Sequence, residues 1–354
     1  MVSTIKLALL FLAVIMASSI IAVVVSTAFS TIDLSESTRT YRVREVYIVY
    51  NKGNESFNLS DLGEPYLDYP QLDVRQRVLE YNVYVNGEPA NYIVERVMNG
   101  LSMQAVLKKD VVIEPGSTVN VTVEYKVEIL PPPPNLTVDN IVNAPWSNVT
   151  GLEYYENLTS STILWNYSNP LIRLYVEALW EQSNHNLGKY LLNTIQWITH
   201  NIEYQSRIPA RHPIEVLVEM KGDCDDQANL LITLLRAKGI PAFMEAGLIY
   251  IPGFDSTAEF ENTIKFHVVN AGPHGWVKAY IPGIGWVPID LTFAYTATNR
   301  PIDHINYGAY KMNDVIIISR TLGGDYAGET VKQVLELKQL NAYMSILIEI
   351  KPID

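Results

Sequence analysis

The chain has 354 residues, 48% hydrophobic and only 18% charged, with 26 Lys and Arg against 38 Asp and Glu for a formal charge of -12. Such a length exceeds one ordinary domain of roughly 100 to 200 residues, and such a composition excludes a disordered or low-complexity chain. The acidic balance repels nucleic-acid phosphates and anionic membrane surfaces alike, so no nucleic-acid partner is expected. A single cysteine, Cys224, excludes an intrachain disulfide framework and any multi-thiolate metal site. The six histidines show no HExxH or similar ligand spacing, and neither a metal nor another cofactor is expected.

From Leu7 to Ile32 there is no charged residue. Leu7 to Val25 is nearly all apolar, long enough as a helix to cross a hydrocarbon core of roughly 30 Å. Residues 1–32 therefore read as a single-pass N-terminal transmembrane anchor. The alternative is a cleaved signal peptide and a secreted protein, since small residues stand at Ser26, Thr27 and Ala28, although the apolar run exceeds the usual ~7 to 15 residues. Lys6 precedes the helix while Asp33 and Glu36 follow it, an asymmetry that leaves the rest of the chain outside the membrane. Asn-X-Ser/Thr triplets at Asn54, Asn58, Asn120, Asn135, Asn148, Asn157 and Asn166 all lie upstream of residue 170. They are either a chance product of a Ser/Thr-rich region or the acceptors of a glycosylated, extracytoplasmic stalk.

Residues 33–130 alternate polar and apolar side chains in short runs, TYRVREVYIVYN and STVNVTVEYKVEI among them, with turn signals between. That pattern predicts a small all-β, sandwich-like domain. Its tyrosines, Tyr66, Tyr69, Tyr81 and Tyr84 with Tyr154 and Tyr155 beyond, are read as packing residues before ligand contacts. Pro131 to Pro134 open a Pro-rich, sequon-rich connector over 131–169. From residue 170 the apolar spacing turns helical for two helices, and after Gly239 it returns to strands, with one helix near Thr330 to Leu340. The 170–354 region is therefore expected to be an α+β domain, helices first and sheet second.

Two stretches carry the chemistry. In the first, Gly222 to Pro241, Asp223 is a good N-cap, Lys238 and Gly239 close the helix and Pro241 stops it. Cys224 then lies in the first turn, where the helix dipole favours a thiolate. Asp223, Asp225 and Asp226 oppose that effect, so a reactive sulfur here needs a cation from elsewhere. As a trio they could also suggest calcium, but a first-turn acidic cluster is more simply a cap and a solvated face.

In the second stretch, His274 to Thr292, two apolar strands flank a Pro-Gly-Ile-Gly turn and read as a hairpin. His274 opens the first strand and Asp290 ends the second. Pairing Ile281 with Trp286 through an even-numbered loop would put Asp290 opposite Val277, on the wrong face for His274. A three-residue loop, or a bulge that pairs Trp276 with Asp290, makes His274 and Asp290 diagonal neighbours on one face.

These residues, GDCDDQANLLITLLRAKGIPA followed some fifty residues later by HGWVKAYIPGIGWVPIDLT, resemble the core of the transglutaminase-like superfamily. The resemblance covers roughly residues 170 to 300, with a weaker tail through Asp303, His304 and Ile305. It implies a papain-like cysteine enzyme fold with Cys224 as nucleophile, His274 as general base and acid, and Asp290 as the group orienting the imidazole. Lys278 stands where an acidic residue is frequent, with a bearing on substrate choice, and Leu291 replaces a common proline. The implied function is thiol-dependent acyl transfer or hydrolysis on amide bonds of a protein or peptide substrate at the cell surface. The backbone N–H of Cys224 is then an expected oxyanion donor. The alternative is a catalytically inactive binding or scaffold protein of the same fold; a further one gives the main function, tethering, to the β domain. His267 is the competing base, and a hydrogen-bonded strand histidine is its plainer reading.

Overall fold

The computed structural model describes residues 37–62, 66–97, 100–293 and 300–353. The expected anchor at 1–32 lies outside the described residues, and among those described no helix is long and apolar enough to cross a membrane.

The N-terminal part is β-rich: β1 (Arg39–Asn51), β2 (Phe57–Asn58), β3 (Tyr66–Asp68), β4 (Gln76–Val85), β5 (Glu88–Pro89), β6 (Tyr92–Val97), β7 (Ser102–Leu107), β8 (Val112–Ile113) and β9 (Thr118–Ile129). The period-two pattern read from the sequence is kept: Tyr41, Val43, Tyr47 and Val49 of β1 are buried, as are Val119, Val121, Val123, Tyr125 and Val127 of β9. This face shares one core with Leu67 of β3 and with Ala105 and Leu107 of β7, from a three-stranded sheet ordered β3-β7-β6.

Two short helices follow, α1 (Val138–Val142) and α2 (Tyr155–Thr159). Then come α3 (Pro170–Gln182), α4 (Leu187–Asn201), α5 (Pro213–Glu219) and α6 (Cys224–Ala237). The chain continues as β10 (Ala242–Phe260), β11 (Ile264–Ile281), β12 (Gly285–Ile289), α7 (Asp303–Asn306), α8 (Ala309–Met312), β13 (Val315–Thr321), α9 (Tyr326–Gln339) and β14 (Ala342–Ile353). Helix α4 buries Tyr190, Leu191, Thr194, Ile195 and Ile198 along one face, the spacing of a one-sided helix. Helix α6 is buried from Cys224 through Arg236, which makes it the central helix. Even Arg236 is enclosed, its guanidinium 4.3 Å from the Trp165 ring centroid and bonded to the carbonyls of Ala242 and Leu322. Apolar side chains buried to this degree contribute about 1.5 to 3 kcal/mol each.

One nine-stranded sheet runs through both halves in the order β13-β10-β11-β14-β1-β9-β4-β5, with β12 added to β11. The last strand, β14, is parallel to β11 on one side and antiparallel to β1 on the other. The mixed α+β core and its sheet-rich N-terminal region therefore share a backbone hydrogen-bond ladder. One sheet of the N-terminal region is the continuation of the core's own sheet, because β1 offers two edges and β14 and β9 take one each.

The 131–169 stretch is more than a spacer. Its apolar side chains, Ile141, Trp146, Leu164 and Trp165, are buried in the common core, and the Trp165 indole N–H donates to Asn229 Oδ1 of α6 at 2.9 Å. Six of its and the β region's Asn-X-Ser/Thr acceptors, at 54, 58, 135, 148, 157 and 166, are exposed; Asn120 is half-buried and accepts from Thr122 Oγ1.

Candidate active site

Helix α6 begins as its sequence signals predict. Asp223 holds the N-cap position, and Asp226, three residues on, accepts its backbone N–H through Oδ2 at 3.3 Å. Cys224 is thus the first helical residue, buried to 4% exposure, and at that position the backbone N–H has no acceptor within the helix. Gly239, with φ +74, and Pro241 end the helix on the far side.

The crowd of aspartates beside the sulfur is compensated in a way the sequence did not reveal. Arg211 donates from Nη1 to Asp226 Oδ2 at 2.7 Å and from its backbone N–H to Oδ1 at 2.5 Å. Its guanidinium also reaches Glu219 at 2.8 Å. Asp223 accepts the Arg207 N–H at 3.2 Å. Burial, and then the charges of Asp223 and Asp226, push the Asp225 carboxyl well above the usual carboxylate range. Tyr326 donates to its Oδ2 at 3.3 Å. Of the three carboxyl groups, that of Asp226 is paired with a guanidinium. Carboxylate oxygens of the three approach within 4.8 Å of one another, and the Arg211 guanidinium already engages Asp226.

The hairpin adopts the register that unites His274 with Asp290. Strand β11 pairs with β12 as Ile281↔Gly285 and Val277↔Ile289, which leaves Pro282, Gly283 and Ile284 as a three-residue loop with Gly283 at φ +80. One step further along the ladder Asp290 comes opposite Trp276, on the face of His274. His274 Nε2 lies 2.8 Å from Asp290 Oδ2, both side chains being buried. With Nε2 given to the carboxylate, Nδ1 is the ring nitrogen available to a second partner.

Asp290 is itself held firmly. Its Oδ1 accepts the N–H groups of Thr292 at 3.2 Å and Phe293 at 3.1 Å, and its Oδ2 accepts that of Ala309, the first residue of α8, at 3.0 Å. Its backbone exchanges hydrogen bonds with His304, whose Nδ1 lies 2.9 Å from the Asp290 carbonyl, so the resemblance's tail at 303–305 buttresses the site. Gly308 must be glycine for lack of room: a Cβ there would stand 2.5 Å from Asp290 Cβ.

The two informative stretches meet where the first turn of α6 packs on β11. A Cβ built on Gly275 would lie 3.6 Å from Asp225 Cβ, so the residues following Cys224 and His274 are in contact. Tyr204, ahead of α5, completes the surroundings: burial first, then the charges of Cys224 and Asp223, raise its phenol above the usual tyrosine range. Neither Tyr204 nor Arg211 nor Gly308 carries a local sequence signal, since each acts through a neighbour distant along the chain.

Two expectations end elsewhere. His267 sits on the outer part of β11, half-buried, with Nε2 2.9 Å from Asp255 Oδ1, and belongs to no site with Cys224. Lys278 is enclosed in an ion network, 2.9 Å from Asp73 Oδ2 and 3.3 Å from Glu245 Oε2, which Arg320 and the Trp276 indole also join. Asp73 brings the N-terminal region into this network. The charge reversal seen in the sequence at Lys278 is therefore balanced by buried carboxylates.

A buried cysteine at a helix start thus adjoins a hairpin that carries a buried His-Asp pair, on a mixed α+β core. Residues 175–291 match the model of the transglutaminase-like superfamily. The uncharacterized protein YebA of Bacillus subtilis is 36% identical over 83 residues, 23% of this chain and 11% of YebA, so the chain spans about a tenth of that relative. An uncharacterized protein of Mycobacterium tuberculosis, Rv2569c, is 23% identical over 295 residues, 80% of this chain and 85% of its own. Among solved structures, that of a "putative cysteine protease" from Cytophaga hutchinsonii covers 90% of this chain and 92% of its own at 14% identity and a TM-score of 0.55, a likeness of fold.

Proposed function

We propose that the protein is a thiol-dependent enzyme acting on amide bonds of proteins or peptides, with Cys224, His274 and Asp290 as its catalytic residues. The observation that carries this reading is the 2.8 Å His274–Asp290 pair beside the first turn of the helix that begins at Cys224. In the reaction the Cys224 sulfur attacks the amide carbon while His274 takes the thiol proton. Collapse of the adduct breaks the C–N bond, and the imidazolium returns its proton to the leaving amine. Asp290 stabilises the imidazolium throughout. A thioester remains on Cys224; water resolves it to an acid, or a lysine amine to an isopeptide, and either restores the thiol. The backbone N–H of Cys224, at the start of α6, serves as one oxyanion donor. No cofactor enters these steps.

We further propose that residues 1–32 anchor the enzyme with its catalytic domain outside the membrane. Exposure of six of the seven acceptor asparagines supports this location. A mass loss on deglycosylation of the native protein tests it, and unmodified asparagine at all seven positions would remove the support.

Incubating candidate surface proteins with the enzyme and with Cys224→Ala, followed by peptide mass spectrometry, tests the activity. New termini, deamidated glutamine and Gln-Lys links give distinct mass changes, each absent from the control. Iodoacetamide labelling supplies a substrate-free check: fast alkylation of Cys224 that slows in His274→Ala is expected, whereas slow labelling indifferent to His274 would favour the inactive scaffold.

A further inference from the structure

A cavity of about 700 Å³ opens where β12 meets the N-terminal region and the proline run. Leu72, Val74 and Tyr154 on its wall are 49%, 75% and 38% exposed. Apolar side chains gathered around one concavity mark a binding surface, unlike those scattered singly. Tyr154 also holds a left-handed backbone, φ 61, which a bulky residue adopts at a cost of order 1 kcal/mol.

One wall is a strand edge. Every residue from Ile284 to Pro288 lines the cavity. Side chains of a strand alternate between faces, so an uninterrupted run of lining residues means that the edge of β12 borders the space. Strand β12 pairs with β11 alone, and among the described residues 285–288 make no backbone hydrogen bond beyond that ladder.

Also lining the cavity is a cation without an anion among the described residues. Lys311 of α8 is 5% exposed, and its ammonium donates to the Pro134 carbonyl at 3.0 Å, to Asn135 Oδ1 at 3.3 Å and to Asn306 Oδ1 at 3.4 Å, all neutral acceptors. Among the described residues it forms no ion pair, whereas the neighbouring cations Lys278 and Arg320 have Asp73 and Glu245. Glu153, also on the wall, lies on the exposed rim and pairs with no cation among the described residues. Burial brings Lys311 down to about 8, which still leaves it charged at neutral pH. An enclosed charge held only by dipoles lacks the countercharge that ordinarily accompanies burial.

We propose that this cavity binds the carboxyl-terminal end of an extended, apolar polypeptide, its backbone paired with the edge of β12 and its terminal carboxylate taking the place of the exposed Asn135 side chain on the Lys311 ammonium. Strand addition pairs the peptide with the outward N–H and C=O of Trp286 and the C=O of Pro288, and apolar side chains fill the space between. An aliphatic acid would meet Lys311 but would leave the strand edge unpaired. The inference does not depend on the catalytic reading.

The test is fluorescence anisotropy with the full-length protein and an N-terminally labelled Gly-Val-Leu-Val-Leu-Ala peptide, compared with its C-terminal amide and with an analogue N-methylated at alternate residues. The free acid is expected to bind about tenfold or more tightly than the amide and the N-methylated form. Lys311→Met should erase the acid preference while leaving amide binding in place, and Lys311→Arg should retain it. Equal binding of acid and amide, or no binding of either, would overturn the proposal. So would undiminished binding of the N-methylated peptide together with displacement by decanoate, which would mean an aliphatic-acid site. The comparison of ligands on the unaltered protein stands even if a Lys311 variant fails to fold.

Discussion

His274 Nε2 and Asp290 Oδ2 lie 2.8 Å apart because three residues, not two or four, join β11 to β12. A one-residue change of register would turn Asp290 to the opposite face, since side chains alternate with period two. The same carboxylate is fixed by Ala309 N–H and crowded by Gly308, so its position is determined from two sides.

Gly308→Ala should therefore act as a positioning lesion. The added methyl must push Asp290 away, weakening its bond to His274 without touching Cys224. The rate of Cys224 alkylation at pH 7, and activity on a confirmed substrate, should fall roughly 10- to 100-fold. Asp290→Ala should give a loss at least as large. A Gly308→Ala protein with an unchanged alkylation rate and pH profile would refute the assigned role of this contact.

Removing Arg211 tests the compensation of the acidic cluster. Its side chain and that of Asp226 are 3% and 0% exposed, and Arg211→Ala leaves the carboxylate buried and unpaired. A loss of about 3 to 5 kcal/mol in chemical denaturation is expected. Arg211→Lys should recover only part of it, because an ammonium cannot also serve Glu219 and Gln205 in the guanidinium's geometry.

Glu45, fully buried in β1, accepts from Tyr125 at 2.6 Å and Tyr47 at 3.0 Å, and burial raises it from 4.5 to about 7. Between those values the folded protein keeps a proton that the unfolded chain releases, so this group lowers stability as pH rises from 4.5 to 7. The total is about 3 kcal/mol, absent below 4.5 and complete above 7. Glu45→Gln should remove it. Relative to the wild type, the variant's unfolding free energy at pH 8 should exceed that at pH 4.5 by about this amount, and a pH-independent difference would contradict the assignment.

The shared sheet predicts what truncation does. A chain lacking 37–130 loses β1, the neighbour of β14, and loses Asp73, the partner of Lys278 and Arg320. An exposed edge and two buried cations left to share Glu245 should make the remaining 131–354 segment aggregate when expressed alone. Size-exclusion chromatography and hydrogen exchange will tell: a monodisperse, cooperatively folded fragment would show that the ladder is dispensable.

Local signals in the sequence determined the helix that begins at Cys224, the hairpin after His274 and the β-rich front. Caps, turns and side-chain periodicity act over a few residues, and a motif at family spacing carries the resemblance. His267 was equally separable, because its surroundings lacked the Gly-Trp context of His274.

The tertiary structure alone decided that β14 returns to lie between β11 and β1, that Arg211 neutralises Asp226, that Lys278 meets Asp73, and that Gly308 and Ala309 hold Asp290. An alternating strand specifies which face is buried but not which strand lies beside it, and a buried charge specifies that it needs a partner but not where along the chain that partner is found. Those choices are made by packing between segments hundreds of residues apart, where only the assembled fold brings the groups within a few ångströms.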